Sequence, residues 1–306
     1  MKLPLIYLTL FVLPFGMMAQ QPAVSSGKIE YIKDFQSNYV AARDVEIWLP
    51  NGYTPNKKYA VLYMHDGQML FDAATTWNNQ AWEVDETAST LQAEKKTHDF
   101  IVVGINNTAK RHPEYFPQKP YESLTNVQQQ FVTQALKDKG RITDTFTPLA
   151  DAYLQFIVTE LKPYIDSHYA VDPKPAATCI AGSSMGGLIS LYALCEYPDV
   201  FGRAACLSTH WPGIFAVDGN PVPEAFMAYM RNHLPNPNTH KIYFDYGDQT
   251  LDALYPPLQK KVDALMVEKG FTASNWSTQF FPGKDHSEKS WKERLAIPLQ
   301  FLLQAN

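Results

Sequence analysis

The amino-acid sequence predicts an α/β fold with a mixed, mostly parallel sheet of about eight strands and helices on both faces. Two observations carry this prediction. The runs YAVLYMHDG (59–67) and FIVVGINN (100–107) are almost continuously apolar, as strands buried on both faces of a parallel sheet are. Strand-like runs of this kind alternate with helix-like segments along the chain, which is the order that right-handed crossover connections produce.

The strand-like runs follow one another from residue 28 onwards. The first two, KIEYIKDF (28–35) and RDVEIWLP (43–50), alternate apolar and polar residues and therefore predict half-exposed antiparallel strands. After the two buried runs come TCIAG (178–182), RAACLST (203–209), KIYFDYG (241–247) and STQFFPG (277–283). Helices are predicted at residues 148–169, 185–198, 256–270 and 290–304. Since no repeat, low-complexity linker or break in composition interrupts residues 28–306, we expect one domain there.

The first twenty residues differ in character from the rest of the chain. Lys2 precedes an apolar run from Leu3 to Phe15, and small or polar residues follow around Ala19. A helix that spans a bilayer needs about 20 apolar residues, so this run is too short to be a membrane span. The pattern is typical of a secretory signal peptide at residues 1–20, which predicts export to the periplasm or the medium. No later stretch is apolar enough to predict a membrane span.

Composition excludes some partners and cofactors. Lys and Arg number 26 against 31 Asp and Glu, a net charge of −5, and no basic cluster occurs, so a nucleic-acid partner is not expected. Cys179, Cys195 and Cys206 lie in apolar contexts typical of small buried side chains, although a bridge between Cys179 and Cys206 stays open at this stage. Neither a Cys-x-x-Cys nor a His-Glu-x-x-His spacing occurs, so we expect no metal site.

The segment AGSSMGG (181–187) joins a predicted buried strand to a predicted helix. Its central residues fit the pattern Gly-x-Ser-x-Gly around Ser184, with Gly182 and Gly186 as the flanking glycines. A sharp strand-to-helix turn of this kind strains the central residue and needs small neighbours, and it raises the serine hydroxyl above the carboxyl edge of the sheet. The backbone N–H of Met185 then becomes a donor for a developing oxyanion. Ser183 does not have the required spacing to the glycines.

A nucleophilic serine needs a histidine base, which in this type of fold follows the serine along the chain. His286 lies in the loop between the last predicted strand and the last predicted helix, where that base belongs. His210, in STHWPG (208–213), could instead line the substrate pocket. His233 and His240 lie in a stretch rich in proline and asparagine, which predicts a solvated loop.

The acid that orients the histidine is expected after the strand KIYFDYG. Asp248 follows that strand directly and Asp252 lies four residues further along, whereas Asp245 lies inside the strand. We favour Asp252, because the loop must extend away from the sheet to reach the imidazole. Asp248 remains the alternative, and either carboxylate could instead cap the next helix.

A second oxyanion donor is expected in the loop after the first parallel strand, MHDGQMLFD (64–72). Gly67 permits a tight turn there, and the backbone N–H of Gln68 is the favoured partner of Met185. His65 and Asp66 in the same loop can also be interpreted as an isolated ion pair.

Four segments together resemble the esterase family of α/β-hydrolases, which includes feruloyl, acetyl-xylan and enterochelin esterases, S-formylglutathione hydrolase and the antigen 85 mycolyltransferases. The segments are YAVLYMHDGQMLFD, VGINNTAKRHPEYFP, AGSSMGGLISLYA and FFPGKDHSEKSW, and the resemblance runs from about Lys57 to the C-terminus. It implies an α/β-hydrolase fold, a triad of Ser184, Asp252 and His286, and Gln68 and Met185 as backbone oxyanion donors. It also implies ester hydrolysis through an acyl-enzyme, without a cofactor.

The substrate is less narrowly predicted. Trp77 and Trp211 lie in predicted loops at the carboxyl edge, where they could line a cleft for a phenolic acyl group or a sugar ring, or simply pack in the loops. Arg111 could meet a carboxylate or phosphate, or remain solvated. Export and the resemblance together suggest a small-molecule or polysaccharide-linked ester, such as a feruloyl or acetyl ester. An acyltransferase that passes the acyl group to a sugar is the main alternative, and a non-catalytic carbohydrate-binding protein is disfavoured.

Overall fold

The structure of the protein is a computed structural model that describes residues 21–215 and 218–304. The predicted signal peptide at residues 1–20 lies outside the described residues. Among the helices of the described part, none combines the length and the apolar character that crossing a bilayer requires.

The centre of the fold is an eight-stranded sheet with the strand order β1-β2-β4-β3-β5-β6-β7-β8. β2 is antiparallel to both of its neighbours, and every pair from β4 to β8 is parallel. The strands are β1 (Lys28–Phe35), β2 (Arg43–Leu49), β3 (Ala60–His65), β4 (Phe100–Ile105), β5 (Thr178–Ser183), β6 (Arg203–Leu207), β7 (Lys241–Tyr246) and β8 (Trp276–Phe280). Each of the eight predicted runs matches one strand, with β5 and β8 each extending one residue beyond its run, so the predicted mixed and mostly parallel sheet is confirmed.

The helices follow the strands in the expected alternation. They are α1 (Val84–Ala93), α2 (Arg111–Tyr115), α3 (Gln118–Glu122), α4 (Asn126–Asp138), α5 (Ala150–Phe156), α6 (Lys162–His168), α7 (Met185–Glu196), α8 (Val222–His233), α9 (Pro256–Glu268), α10 (Glu288–Arg294) and α11 (Ala296–Leu303). The predicted helix at residues 148–169 consists of α5 and α6 joined by one π-helical turn, Ile157–Leu161. The predicted last helix is divided between α10 and α11 at Leu295.

Both faces of the sheet are covered, because alternate strand residues enter two separate cores. In β4, Ile101 and Val103 pack in one core, and Phe100 and Val102 pack in the other. The first core also holds buried residues of α5 to α9, and the second holds residues of α1, α10 and α11. Helices on both faces, as the sequence predicts, therefore bury the sheet on either side.

Candidate active site

Ser184 lies between the end of β5 and the start of α7, in the middle of the sheet. Its backbone has φ 59° and ψ −121°, a conformation that costs free energy for a residue with a side chain. A Cβ atom on Gly182 would stand 2.8 Å from the backbone carbon of Gly186, so the turn requires glycine at 182. On Gly186 a Cβ atom would meet only ordinary contacts, 3.5 Å from the Cβ of His65. The strained turn is fixed on its other side by β6, since the Ser184 N–H donates to the Leu207 carbonyl at 2.9 Å.

His286 and Asp252 are in direct contact. Nδ1 of His286 lies 2.6 Å from Oδ1 of Asp252, a carboxylate that is 0% exposed. The other carboxylate oxygen, Oδ2, accepts hydrogen bonds from the backbone N–H of Gly247 at 2.7 Å and from the Ser208 hydroxyl at 2.6 Å. Asp248 is placed differently, because its Oδ1 accepts from the backbone N–H of Gly283 at 2.8 Å.

The imidazole of His286 is held by aromatic neighbours as well as by its carboxylate partner. Trp291 meets it edge-on with ring centroids 5.0 Å apart, and Tyr255 does the same at 5.8 Å. The backbone N–H of His286 donates to the Thr250 hydroxyl at 3.0 Å, which ties the histidine loop to the loop that carries Asp252. Both loops follow parallel strands, β8 and β7, so the ring is oriented from the carboxyl edge of the sheet.

Ser184 and His286 line one cleft of about 760 Å³, and Gln68 and Met185 line it too. In the described part of the chain, no acceptor is bonded to the backbone N–H of Gln68 or of Met185. The first turn of α7 packs against the loop after β3, because the Cβ position of Gly186 lies 3.7 Å from Oδ2 of Asp66. Two unoccupied N–H donors therefore belong to neighbouring segments beside Ser184.

Arg111 lines the same cleft but is already paired within the chain. Its Nε and Nη2 atoms donate to the two carboxylate oxygens of Asp66, each at 2.7 Å, and the Asn107 amide donates to Asp66 Oδ1 at 2.6 Å. Burial opposes ionisation of Asp66, but the charge of Arg111 and these hydrogen bonds hold the pKa of that carboxyl below its ordinary value. The ion pair suggested by sequence for Asp66 is thus made with Arg111. His65 instead meets the Tyr153 hydroxyl at 2.9 Å.

The two tryptophans predicted at the cleft lie in different environments. Trp77 lines the cleft and is 83% exposed. Trp211 is 1% exposed, its indole N–H donates to Gln259 at 2.8 Å, and its ring packs on Phe244. Trp211 is therefore a core residue, and its prediction as a cleft residue is corrected, because the chain after β6 turns inward at this point.

Two further histidines line the cleft in the neutral form. Burial lowers the pKa of His112 to about 4, with the charges of Arg111 and Arg141 acting in the same direction. Burial also lowers the pKa of His210 well below its ordinary value, and its Nδ1 lies 2.9 Å from the Tyr255 hydroxyl. Near neutral pH these imidazoles therefore offer neutral hydrogen-bonding groups rather than charge.

The prediction of a solvated loop around His233 and His240 is confirmed only in part: residues 234–240 form a loop and His233 is exposed, but His233 belongs to a helix and His240 is buried. His233 is the last residue of α8, a helix that begins after Pro221, and its ring stacks on Tyr229. His240 is 8% exposed, and its two ring nitrogens meet the backbone carbonyls of Asn236 and Pro198. The prolines that suggested a loop end one helix and connect it to β7.

A family model described as "Putative esterase" matches residues 40–302 of the chain. The chain belongs to this family. Family membership supports carboxylic-ester hydrolysis as the class of reaction. One relative in Bacillus subtilis (strain 168), the uncharacterized protein YbbA, is 25% identical over 272 residues, which cover 86% of this chain and 94% of the relative.

Solved structures of esterases resemble this chain along most of its length. The enterobactin esterase of Shigella flexneri superimposes with a TM-score of 0.65 at 16% identity, over 92% of this chain and 60% of that one. A ferulic acid esterase of the anaerobic fungus Anaeromyces mucronatus gives a TM-score of 0.61 at 18% identity, over 95% and 97%. At these identities the likeness shows the fold, which is that of the α/β-hydrolases.

None of the three cysteines lines the cleft in the part of the chain that the structure describes. All three cysteines are buried free thiols, so the bridge between Cys179 and Cys206 that the sequence left open is not formed. Burial raises the pKa of Cys179 to about 11, which keeps that thiol protonated. Within residues 21–215 and 218–304, no group of three His, Cys, Asp or Glu side chains is arranged to hold a metal ion.

Sequence reasoning missed Ser208 and Tyr255, which lie beside the predicted site residues. Ser208 follows β6 and donates to Asp252, and Tyr255 opens α9 with its hydroxyl between His210 and the side chain of Ser184. A lone serine and a lone tyrosine carry no motif. Only the sheet order, which sets the ends of β5, β6 and β7 side by side, brings them to the site.

Proposed function

We propose that the chain is a serine carboxylic-ester hydrolase with Ser184 as nucleophile, His286 as base and Asp252 as the orienting acid. One observation carries the proposal. Ser184, in a strained turn at the head of α7, faces the same cleft as an imidazole that a fully buried carboxylate holds at 2.6 Å. Family membership supports the reaction class, and the neighbouring geometry supports the roles.

The hydrogen bonds around Asp252 fix the tautomer of the base. An ionised carboxylate can only accept hydrogen bonds, so Nδ1 of His286 carries the proton that lies between them. Nε2 therefore keeps its lone pair and can take the proton of Ser184 as Oγ attacks the ester carbonyl. Asp252 then stabilises the imidazolium that forms, and His286 returns the proton to the leaving alcohol.

The tetrahedral intermediate carries a negative oxygen that needs donors. The unoccupied N–H groups of Gln68 and Met185 are suited to this role, and the N-terminus of α7 adds positive potential at the same place. Loss of one such donor typically lowers the rate about 10²- to 10³-fold. Water, activated in turn by His286, hydrolyses the acyl-enzyme and frees Ser184.

The substrate is proposed to be a small or polysaccharide-linked ester, such as a feruloyl or acetyl ester, that the protein meets after export. The names of the ferulic acid esterase and enterobactin esterase neighbours support an aromatic acyl group. The exposed indole of Trp77 offers a flat apolar face at the cleft for such a group or for a sugar ring. The signal-like residues 1–20 support export.

A fluorophosphonate probe combined with an ester panel tests the proposal. We expect covalent labelling of Ser184, and hydrolysis of p-nitrophenyl acetate and methyl ferulate that is abolished in Ser184→Ala. Ser183→Ala is the matched control, since it removes the adjacent hydroxyl from the end of β5, and it should keep labelling and most of the activity. A label mapped to Ser183, or full activity in Ser184→Ala, would contradict the assignment.

A further inference from the structure

Ser208, directly after β6, is the centre of a buried hydrogen-bond network behind the proposed acid. Its side chain is 0% exposed, and its Oγ lies 2.6 Å from Oδ2 of Asp252. The indole N–H of Trp291 donates to the same Oγ at 2.9 Å, and Nη2 of Arg294 donates to it at 2.9 Å. Both of these donors belong to α10, the helix that follows the loop of His286.

The donors and acceptors at Ser208 permit only one direction for each of its hydrogen bonds. A serine hydroxyl has one proton and can accept two hydrogen bonds. Trp291 and Arg294 can only donate, so together they fill both acceptor positions of Ser208. The single proton of Ser208 must then point at Oδ2 of Asp252. No other arrangement satisfies the three contacts.

Arg294 links this hydroxyl to a buried positive charge. The guanidinium side chain is 3% exposed, and Nη2 also donates to Oδ1 of Asp245 at 2.8 Å. The backbone N–H of Ser208 donates to the same Asp245 oxygen at 3.1 Å, which fixes the serine in place. Arg294 thus acts on Asp245 directly and on Asp252 through the Ser208 hydroxyl, which it polarises.

We propose that Ser208 is a positioning residue for the reaction: it delivers a fixed hydrogen bond, polarised by Arg294, that holds Asp252 in the orientation His286 requires. This inference rests on the proposed function, since it assigns Ser208 a role in the same triad. Oδ2 of Asp252 is anchored by Ser208 and Gly247, which leaves Oδ1 directed at Nδ1 of His286. Ser208 itself lies outside the cleft, so it acts on the chemical step and not on substrate binding.

The test compares Ser208→Ala with Thr209→Val. The control removes the buried hydroxyl of the next residue, which donates to the Cys206 carbonyl at 3.1 Å and, in the part of the chain that the structure describes, makes no hydrogen bond to Asp252. We expect kcat for p-nitrophenyl acetate to fall roughly 10- to 100-fold in Ser208→Ala with KM within about twofold, the size that loss of a hydrogen bond to a charged group predicts. Thr209→Val should keep kcat within about twofold of the wild type. Ser208→Gly should behave like Ser208→Ala, and it guards against misfolding because glycine accepts the φ of 40° at this position.

A double-mutant cycle separates positioning from general destabilisation. If Ser208 acts through Asp252, Ser208→Ala should cost no further activity in an Asp252→Asn background. The downfield NMR resonance of the His286 Nδ1 proton should shift in Ser208→Ala and Ser208→Gly but not in Thr209→Val. Wild-type kcat in both Ser208 variants, additive losses in the cycle, or an unmoved resonance would each overturn the inference. Failure of the proposed function looks different, because the wild type itself would then not react with the fluorophosphonate at Ser184, while the resonance would still report on Ser208.

Discussion

Gly182 lies so close to Gly186 that a Cβ atom at residue 182 would stand 2.8 Å from the Gly186 carbonyl carbon and 2.9 Å from its oxygen. The contact closes the turn that carries Ser184. Because both contacts are with backbone atoms, no side chain can move aside to relieve the overlap. A side chain at residue 182 would therefore overlap the backbone, whereas one at residue 186 would not, although both glycines are equivalent in the motif Gly-x-Ser-x-Gly.

Gly182→Ala should therefore displace Ser184, whereas Gly186→Ala should be mild. Overpacking of this kind typically costs about 1–3 kcal/mol of stability, and we expect Gly182→Ala to lower Tm and to abolish most ester hydrolysis. A Cβ at residue 186 meets atoms no nearer than 3.5 Å, so Gly186→Ala should keep its Tm within a few degrees. Thermal melting and fluorophosphonate labelling of both variants check this. Equal losses in the two variants would show that the turn is not closed by the 182–186 contact.

Asp252→Asn tests the proposed acid against Asp248→Asn. The amide keeps the size of the side chain, but an NH₂ group that faces Nδ1 favours the wrong tautomer of His286, so kcat should fall roughly 10²- to 10⁴-fold with little change in KM. Within the described residues, the side chain of Asp248 accepts hydrogen bonds from Gly283 and Gln249 near the surface and none from the other proposed site residues, so its variant should lose much less. Melting curves recorded beside the kinetics exclude unfolding as the cause. If kcat fell strongly in Asp248→Asn and stayed near the wild-type value in Asp252→Asn, the acid would be Asp248.

Trp77 and Trp211 should give opposite phenotypes. Trp77→Ala removes an exposed ring from the cleft, so KM for a bulky ester such as methyl ferulate should rise while Tm stays unchanged. Trp211→Ala removes a buried ring and leaves the side-chain oxygen of Gln259 without its donor, so stability should fall by about 3–5 kcal/mol. Acetate esters serve as the control for Trp77, since they do not reach a distant aromatic face. A lower Tm in Trp77→Ala, or an unchanged Tm in Trp211→Ala, would contradict the assignment of Trp77 to the cleft and Trp211 to the core.

The sheet could be predicted from sequence because each strand carries its own local signal. β3 and β4 are apolar on both faces, and the sequences of β1 and β2 alternate, so periodicity alone identifies them. The half-exposed character predicted for β2 is wrong, because six of its seven residues are buried. Several helices gave a weaker signal. α4 is mostly polar, and only its residues Val132 and Leu136 are buried. α8 begins with prolines, which are typical of loops. A capping box of Thr125 and Gln128 stabilises the start of α4, whereas α8 has no side-chain cap and depends on the burial of its apolar face.

In the candidate site, too, the sequence predicted the residues that have a local signal and missed those placed by long-range contacts. Ser184 and His286 could be proposed from sequence because a turn motif and a position between the last strand and helix are local features. Trp211 could not be placed, because whether a loop residue points outward or inward depends on packing against α9. Ser208 and Arg294 were missed because their relation to Asp252 exists only across β6, β7 and α10. Long-range hydrogen bonds leave no periodic trace in the sequence.

Glu46, in β2, should make the stability of the protein depend on pH. The side chain is 3% exposed, and its contact with a neutral group is a hydrogen bond from the Asn106 amide at 3.2 Å. Burial raises the pKa of Glu46 to about 7 from an ordinary value of 4.5, while the bond from Asn106 acts in the opposite direction. The folded protein therefore holds a proton that the unfolded chain releases between these two values.

The sign follows from proton linkage. Between about pH 4.5 and 7 the folded state binds more protons than the unfolded state, so the free energy of unfolding falls as the pH rises, and it levels off above pH 7. A shift of this size corresponds to about 3 kcal/mol at most. Glu46→Gln removes the ionisation and keeps a hydrogen-bonding oxygen for Asn106. We expect the variant to match the wild type near pH 5 and to melt several degrees higher at pH 8.

Glu122→Gln is the matched control, because it makes the same substitution at an exposed position of α3. Its Tm difference from the wild type should not change with pH. Thermal melting of the three proteins from pH 4.5 to 9 decides the matter. If Glu46→Gln and the wild type keep a constant Tm difference across that range, Glu46 ionises in the folded protein as it does in the unfolded chain, and the cost of burying its charge in β2 is met by a contact other than Asn106.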